Sequence, residues 1–233
     1  KKCRHPHSSD FVQAVTCEIV HPIIPCNKPR PSAQAAYFGS VVLLALRNPL
    51  TAFPEHHQSK AEAYHGQKGQ VEKQSWIDFR DEWVGTGGDS HLFKEWKNFI
   101  MEWRNMEPYT VAEYMPYEYW SDEKKGPTLV TRLSGILKKE GFPVVYDDDE
   151  TVLGCLWHKH FYKPIIAEET KRVEEAWYFP EYTKEQLEMM ASGLDSFAEE
   201  INHMQKNGEN KRPGDEHLID ILRGYSKTIR EKM

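Results

Sequence analysis

The sequence predicts an α/β fold, a three-layer arrangement in which a sheet of mainly parallel strands is flanked by helices and followed by a helical C-terminal third. One observation is the continuous apolar run Ser40–Leu46, which is too short for a helix and typical of a strand buried on both faces of a parallel sheet. The other is that apolar residues later recur every three or four positions. A chain of 233 residues, 39% of them hydrophobic, suits a single domain over residues 1–233.

Three segments have the pattern of strands. Phe11–Val20 alternates and is rich in β-branched residues, which predicts an early strand. The apolar strand Ser40–Leu46 must end before Pro49, because a proline cannot donate to the ladder. Tyr109–Pro116 alternates again and predicts a second inner strand.

Helices are predicted by apolar periodicity together with their end signals. Ser90 is a suitable N-cap, Gly141 a suitable C-terminal glycine, and Thr183 with Gln186 has the spacing of a capping box. The five predicted helices are Gln74–Val84, Ser90–Met106, Thr128–Glu140, Thr183–Gln205 and one from Asp215 to the C-terminus. The last two carry apolar stripes that can pack on the sheet or dock a protein partner.

Composition and charge exclude several classes of protein. The longest apolar run is far shorter than the ~20 residues that span a bilayer, so no transmembrane segment is predicted. The net charge of −6 argues against nucleic-acid binding, which needs an excess of Lys and Arg. The chain does not open with a basic and then apolar leader, so we expect a Golgi-lumen or organelle location if a targeting segment was removed, and a cytoplasmic one otherwise.

The four cysteines leave two alternatives. Cys3, Cys17, Cys26 and Cys155 form no CxxC pair, which argues against a zinc ribbon. They are consistent with one disulfide in an oxidising compartment or with reduced thiols in a cytosol or stroma.

No metal site is predicted. His158 and His160 would lie at alternate positions of a strand, an arrangement that is common by chance. The acidic run Asp147–Glu150 lacks the glycine and the ligand spacing of a calcium loop and is expected to be a solvated turn.

Arg47 is the first candidate for a binding residue. It follows the predicted buried strand, and ligands of open α/β sheets bind beyond the carboxyl ends of the strands. Its planar guanidinium suits a phosphate or a carboxylate. The alternative is that Arg47 closes the strand and pairs with an acidic neighbour.

Around Arg47 the sequence is similar to a known family. The segment Val41–Phe53, an apolar strand followed by Arg-Asn-Pro, resembles the strand and loop with which sulfotransferases bind the 3′-phosphate of phosphoadenosine phosphosulfate. Tyr114–Tyr119 is similar to the family's strand ending in Tyr-Glu, and the helix Leu129–Leu137 with Gly141-Phe142 follows in the family's order.

The resemblance implies a P-loop-like nucleotide-binding fold and assigns roles to four residues. Arg47 would bind the 3′-phosphate, and Ser59 would assist it because Glu55 occupies the position of the family's serine. His21, which follows an apolar strand, or alternatively His5, would be the general base. Transfer would need no metal, since positive groups stabilise the charge on the sulfuryl group.

The family's phosphate loop has no counterpart upstream of Arg47, and no GxxxxGK[ST] motif occurs. We therefore expect a sulfotransferase-like domain that lacks its N-terminal strand and phosphate loop. Two functions follow: transfer of a sulfuryl group to a hydroxyl of a carbohydrate or small metabolite, or a catalytically inactive accessory or structural subunit of a larger complex.

Overall fold

The computed structural model describes residues 41–65, 71–85, 90–105, 110–139, 150–167, 181–208 and 211–233. Within these ranges the main elements are β1 (Val41–Leu46), α1 (Pro49–His65), α2 (Lys73–Phe79), α3 (His91–Asn105), β2 (Thr110–Pro116), α4 (Lys125–Lys139), α5 (Glu150–Trp157), α6 (Lys184–Lys206) and α7 (Asp215–Arg230). Shorter turns lie between them: π-helical turns at Arg80–Val84 and His158–Tyr162, and a 3₁₀ turn at Tyr117–Ser121.

The two strands pair in parallel through the centre of the described structure. Leu44 lies opposite Tyr114, and Leu46 lies opposite Pro116. Because side chains alternate along a strand, Leu44 and Leu46 pack into one hydrophobic cluster while Ala45 packs into a second. The first cluster is built mainly from α3, α6 and α7, and the second from α4 and α5. The prediction that this strand is buried on both faces is confirmed.

The predicted fold class is wrong. The sheet of the described residues has two strands, β1 and β2, and most of the other described residues are helical, so there is no three-layer sheet of mainly parallel strands. The apolar run at β1 indicates only that both faces of the strand are buried. Helices can cover these faces as well as further strands can. The predicted early strand, Phe11–Val20, lies outside the described residues.

Helices α6 and α7 pack along each other and bury their apolar stripes. Leu194 and Phe197 of α6 and Leu218 and Leu222 of α7 are inaccessible to solvent. Helix α6 begins with the predicted capping box, in which the Thr183 hydroxyl accepts from the Gln186 backbone N–H at 3.2 Å. The two stripes are therefore covered within the chain and do not offer an apolar surface to a partner.

A buried ion pair joins α3 to α7. Arg104 donates from Nε and Nη2 to the two carboxylate oxygens of Asp215, at 2.8 and 2.9 Å, and neither side chain is exposed. The backbone N–H of Arg212 donates to the same carboxylate at 2.9 Å. This bidentate geometry fixes the start of α7 against α3.

Two segments differ locally from the prediction. The helix predicted over Gln74–Val84 is divided in the structure into α2 and the π-helical turn Arg80–Val84. The turn is followed by Gly85, which has a φ of 62°. His158 and His160 lie in the second π-helical turn and not on a strand, and both are exposed. The apolar residues of α5, Leu153, Leu156 and Trp157, recur at helical spacing and are buried against α4, which is why this region is helical.

Candidate functional site

The candidate site lies where β1 and β2 end side by side. Because the strands are parallel and Leu46 is opposite Pro116, the residues that follow each strand meet at the same edge. Arg47 follows β1 and Tyr117 follows β2. The guanidinium carbon of Arg47 lies 4.5 Å from the centre of the Tyr117 ring, within the range of a cation–π contact.

The turn after Arg47 is the start of α1, and its residues explain that start. Asn48 is the N-cap: its side-chain oxygen accepts from the Leu50 N–H at 3.0 Å, and its carbonyl accepts from the Ala52 N–H at 2.8 Å. Pro49 occupies the first helical position, where its missing N–H removes no bond. The Arg-Asn-Pro sequence thus directs the chain from a buried strand straight into a helix.

Glu118 binds this turn from the end of the neighbouring strand. Its Oε1 accepts from the Asn48 backbone N–H at 2.8 Å, and its Oε2 accepts from the hydroxyl of Tyr225 at 2.9 Å. The same hydroxyl lies 3.0 Å from the carbonyl oxygen of Leu46. Burial, followed by the nearby Glu118 charge, raises the pKa of Tyr225 well above its usual value, so the phenol stays protonated as a donor. Glu118 therefore joins β1, β2, α1 and α7.

Arg47 itself has two further partners, both on α1. Its Nε donates to the hydroxyl of Thr51 at 3.3 Å, and its Nη2 lies 3.5 Å from Oε1 of Glu55. The Arg47 and Glu55 side chains are 19% and 21% exposed, so solvent reaches both. A separation of 3.5 Å is at the long end for a hydrogen bond, which makes this ion pair a loose one. A phosphate oxygen at the usual charge-assisted distance of ~2.8 Å would bind the guanidinium more strongly.

The structure brings some of the predicted site residues together and not others. Arg47 lies at the predicted strand end, and the pairing with an acidic neighbour, Glu55, is also present. Among the described residues, the side-chain partners of Arg47 are Thr51, Glu55 and Tyr117, and Ser59 is not one of them. His21 and His5 lie outside the described residues.

Two residues of the site carried no prediction from the sequence. Thr51 lies in the first turn of α1, four positions after Arg47, and this closeness in sequence could have identified it. Tyr225 is 179 positions from the carbonyl that it contacts, and no local pattern signals such a contact.

Comparisons of the chain with protein-family models, with curated proteins and with solved structures find no match.

The remaining predictions concern metals, membranes and cysteines. The described part of the chain contains no group of three or more metal-ligating side chains, and none of its helices has the length and hydropathy to cross a bilayer. Cys155 of α5 is disulfide-bonded, which agrees with the disulfide alternative. The other three cysteines lie outside the described residues.

Proposed function

We propose that the chain is a sulfotransferase-like enzyme that binds phosphoadenosine phosphosulfate with its 3′-phosphate at Arg47. The sulfuryl group would pass to a hydroxyl of a carbohydrate or small metabolite. The observation that supports this function is the position of Arg47, at the shared end of two parallel strands, with its guanidinium carbon 4.5 Å from the Tyr117 ring centre and its side chain 19% exposed. The family resemblance of Arg-Asn-Pro and Tyr-Glu and the contact between Asn48 and Glu118 point to the same residues.

The reaction defines what the chain must supply. The acceptor oxygen bonds to sulfur as the bond from sulfur to the 5′-phosphate oxygen breaks, which releases 3′-phosphoadenosine 5′-phosphate. The proton of the acceptor hydroxyl passes to a base, for which His21 or His5 has the suitable imidazole. Arg47 contributes by fixing the far end of the nucleotide and so orients the sulfuryl group for in-line attack.

Binding of 3′-phosphoadenosine 5′-phosphate tests this function. At 100 times its Kd the nucleotide is expected to stabilise the protein by ~2.7 kcal/mol, a rise in Tm of roughly 5–10 °C for a chain of this size. Arg47→Ala should remove the shift. Arg223→Ala, which removes an arginine from an exposed pair with Glu199, should keep it. If the wild type shows no shift, or Arg47→Ala shows the same shift, the proposal is wrong.

A second candidate function is favoured by Glu55. Its carboxylate lies against the guanidinium that would bind the phosphate, as in a protein whose nucleotide site has been closed by an internal ion pair. The chain would then act as a catalytically inactive accessory subunit of a larger complex. Failure of both the wild type and Glu55→Ser to bind the nucleotide would favour this alternative.

A further inference from the structure

The exposed surface of α4 carries one sign of charge. On this helix and in the residue before it, every exposed side chain is cationic or small and uncharged, and the cations are Lys124, Lys125, Arg132, Lys138 and Lys139, here called the α4 cationic face. The other exposed positions are Thr128 and Gly135. From Lys125 to Lys139 the helix rises by about 21 Å. The result is an extended cationic surface on a chain with a net charge of −6.

Other helices of the described structure do not share this property. The exposed side of α6 alternates in sign and includes Lys184, Glu188 and Glu199, while α7 exposes Glu216 and Arg223. Several of these charges form surface ion pairs, such as Arg223 with Glu199 at 2.7 Å. Mixed charges of this kind are ordinary for a solvated helix. The α4 cationic face is therefore a local concentration of charge that the overall composition does not predict.

Two acidic residues, Asp122 and Glu123, lie directly before α4. Asp122 accepts from the backbone N–H groups of Lys124 and Lys125 at 2.8 and 2.9 Å, and these bonds lower the pKa of its carboxyl. Glu123 accepts from the hydroxyl of Tyr162 at 2.9 Å. Lys125 lies over the ring of Tyr119, with its ammonium 4.4 Å from the ring centre. The lysines at the start of α4 are thus exposed, and the two carboxylates before the helix accept hydrogen bonds from backbone N–H groups and from a tyrosine hydroxyl.

Two further exposed cations follow α5. Gly126 of α4 packs so closely on the Trp157 ring that no Cβ would fit between them, which brings the end of α5 against the start of α4. The π-helical turn that follows Trp157 exposes Lys159, and Lys163 is exposed just beyond it.

Arg132, at the middle of the face, is held in place by a buried carboxylate. Its Nε lies 2.5 Å from Oε2 of Glu113, whose side chain is 2% exposed. The other oxygen of Glu113 contacts Nδ1 of His217. Arg132 remains about half exposed, so its fork of donors is oriented on one side and open to solvent on the other. A fixed arginine between exposed lysines suits the binding of an anionic chain.

We propose that the α4 cationic face binds an acidic polysaccharide, a linear chain bearing sulfate or carboxylate groups. The extended row of charges matches a linear polyanion better than a single small anion. Insertion into a membrane would need exposed apolar side chains, and among the described residues Met233 alone is a large exposed hydrophobic. Binding of single-stranded nucleic acid would need free aromatic faces, and Lys125 already covers Tyr119. The inference goes beyond the proposed function and does not depend on Arg47.

The test uses a heparin octasaccharide as the probe and the full chain as the protein. Titration at ~0.15 M salt should detect binding, and the affinity should fall as salt rises because counterions are released. The triple variant Lys124→Gln, Lys125→Gln, Lys139→Gln should bind at least about tenfold more weakly and with a smaller salt dependence. It retains Arg132, so the buried Glu113 keeps its partner. A heparin disaccharide, which reaches fewer cations, should bind more weakly than the octasaccharide.

The matched control is Lys206→Gln, Lys227→Gln, Lys232→Gln, which removes the same charge from exposed positions elsewhere. Thermal unfolding of both triple variants checks that they are folded. The proposal is overturned if the two triple variants bind the octasaccharide equally, or if neutral dextran binds as well as the octasaccharide. Tighter binding of a single-stranded oligonucleotide or of phosphatidylserine vesicles through the same lysines would also overturn it, in favour of a nucleic acid or a membrane.

Discussion

The hydroxyl of Tyr225 and the carboxylate of Glu118 lie 2.9 Å apart and connect the last helix of the chain to the end of β2. Through its other oxygen, Glu118 binds the backbone N–H of Asn48, which begins α1. The same Tyr225 hydroxyl lies 3.0 Å from the carbonyl oxygen of Leu46, so Arg47 lies in the chain between two residues that this network contacts, Leu46 and Asn48. Its position at the strand end is therefore fixed by residues that come from α7 and from the end of β2.

Tyr225→Phe tests that connection. The substitution keeps the buried ring and removes the donor, leaving acceptors at Leu46 and Glu118 without this bond. We expect a loss of about 1–3 kcal/mol in the free energy of unfolding, measured by urea denaturation. If the network is shared, Tyr225→Phe should cost less in a Glu118→Gln background than alone. Equal costs in the two backgrounds would show that the two side chains are not coupled.

Glu55→Ser tests the electrostatics of the candidate site. The substitution removes the carboxylate that lies 3.5 Å from Arg47 and places a hydroxyl at the position where the family has its serine. We expect 3′-phosphoadenosine 5′-phosphate to bind roughly tenfold more tightly by isothermal titration calorimetry, because a like charge near the phosphate is removed. Glu199→Ser, in the exposed pair with Arg223, is the control and should leave the affinity unchanged.

Asp215→Asn tests the buried ion pair between α3 and α7. It leaves the Arg104 guanidinium buried without its charged partner, and we expect a loss of about 3–5 kcal/mol in the free energy of unfolding. Asp195→Asn, whose carboxylate pairs with Arg230 at the surface, should cost within about 1 kcal/mol. Chemical denaturation measures both losses. Similar losses for the two variants would contradict the prediction that the buried pair matters more for stability than the exposed one.

We expect the free energy of unfolding to fall on mild acidification because of His56. Its pKa is lowered to about 4, first by burial and then by the charges of Lys60 and His57, while the unfolded residue titrates near 6.5. The unfolded chain therefore binds the extra proton first. The stability contributed by neutral His56 is complete above pH 6.5 and is lost as the pH falls towards 4, by roughly 3 kcal/mol in all.

Unfolding of the wild type and of His56→Gln at several pH values measures this effect. The difference between the two proteins should change across that window, and a constant difference would argue against a titrating His56. The control is His203→Gln, at an exposed position of α6, which should keep the wild-type pH dependence.

Several local features follow from the sequence alone because their causes lie within a few residues. The apolar run before Arg47 forms β1, as predicted. Asn48 and Pro49 begin α1 by their side-chain oxygen and fixed φ, although no helix over Pro49–His65 was among the five predicted from apolar periodicity. The capping box at Thr183 and the N-cap Ser90, whose hydroxyl accepts from the Phe93 N–H at 3.2 Å, were predicted in the same way. Helix caps of this kind can be predicted because the residues that form them are only a few positions apart.

The extent of the sheet and the surroundings of Arg47 were decided by tertiary structure. A buried strand has the same apolar pattern whether helices or strands cover it, so the sequence did not distinguish two strands from many. The Glu118 network depends on Tyr225, which packing of α7 brings to β1 from far along the chain. Sequence by itself therefore determined where the strand, its arginine and the helix ends lie, and only the packing of distant helices decided what surrounds that arginine.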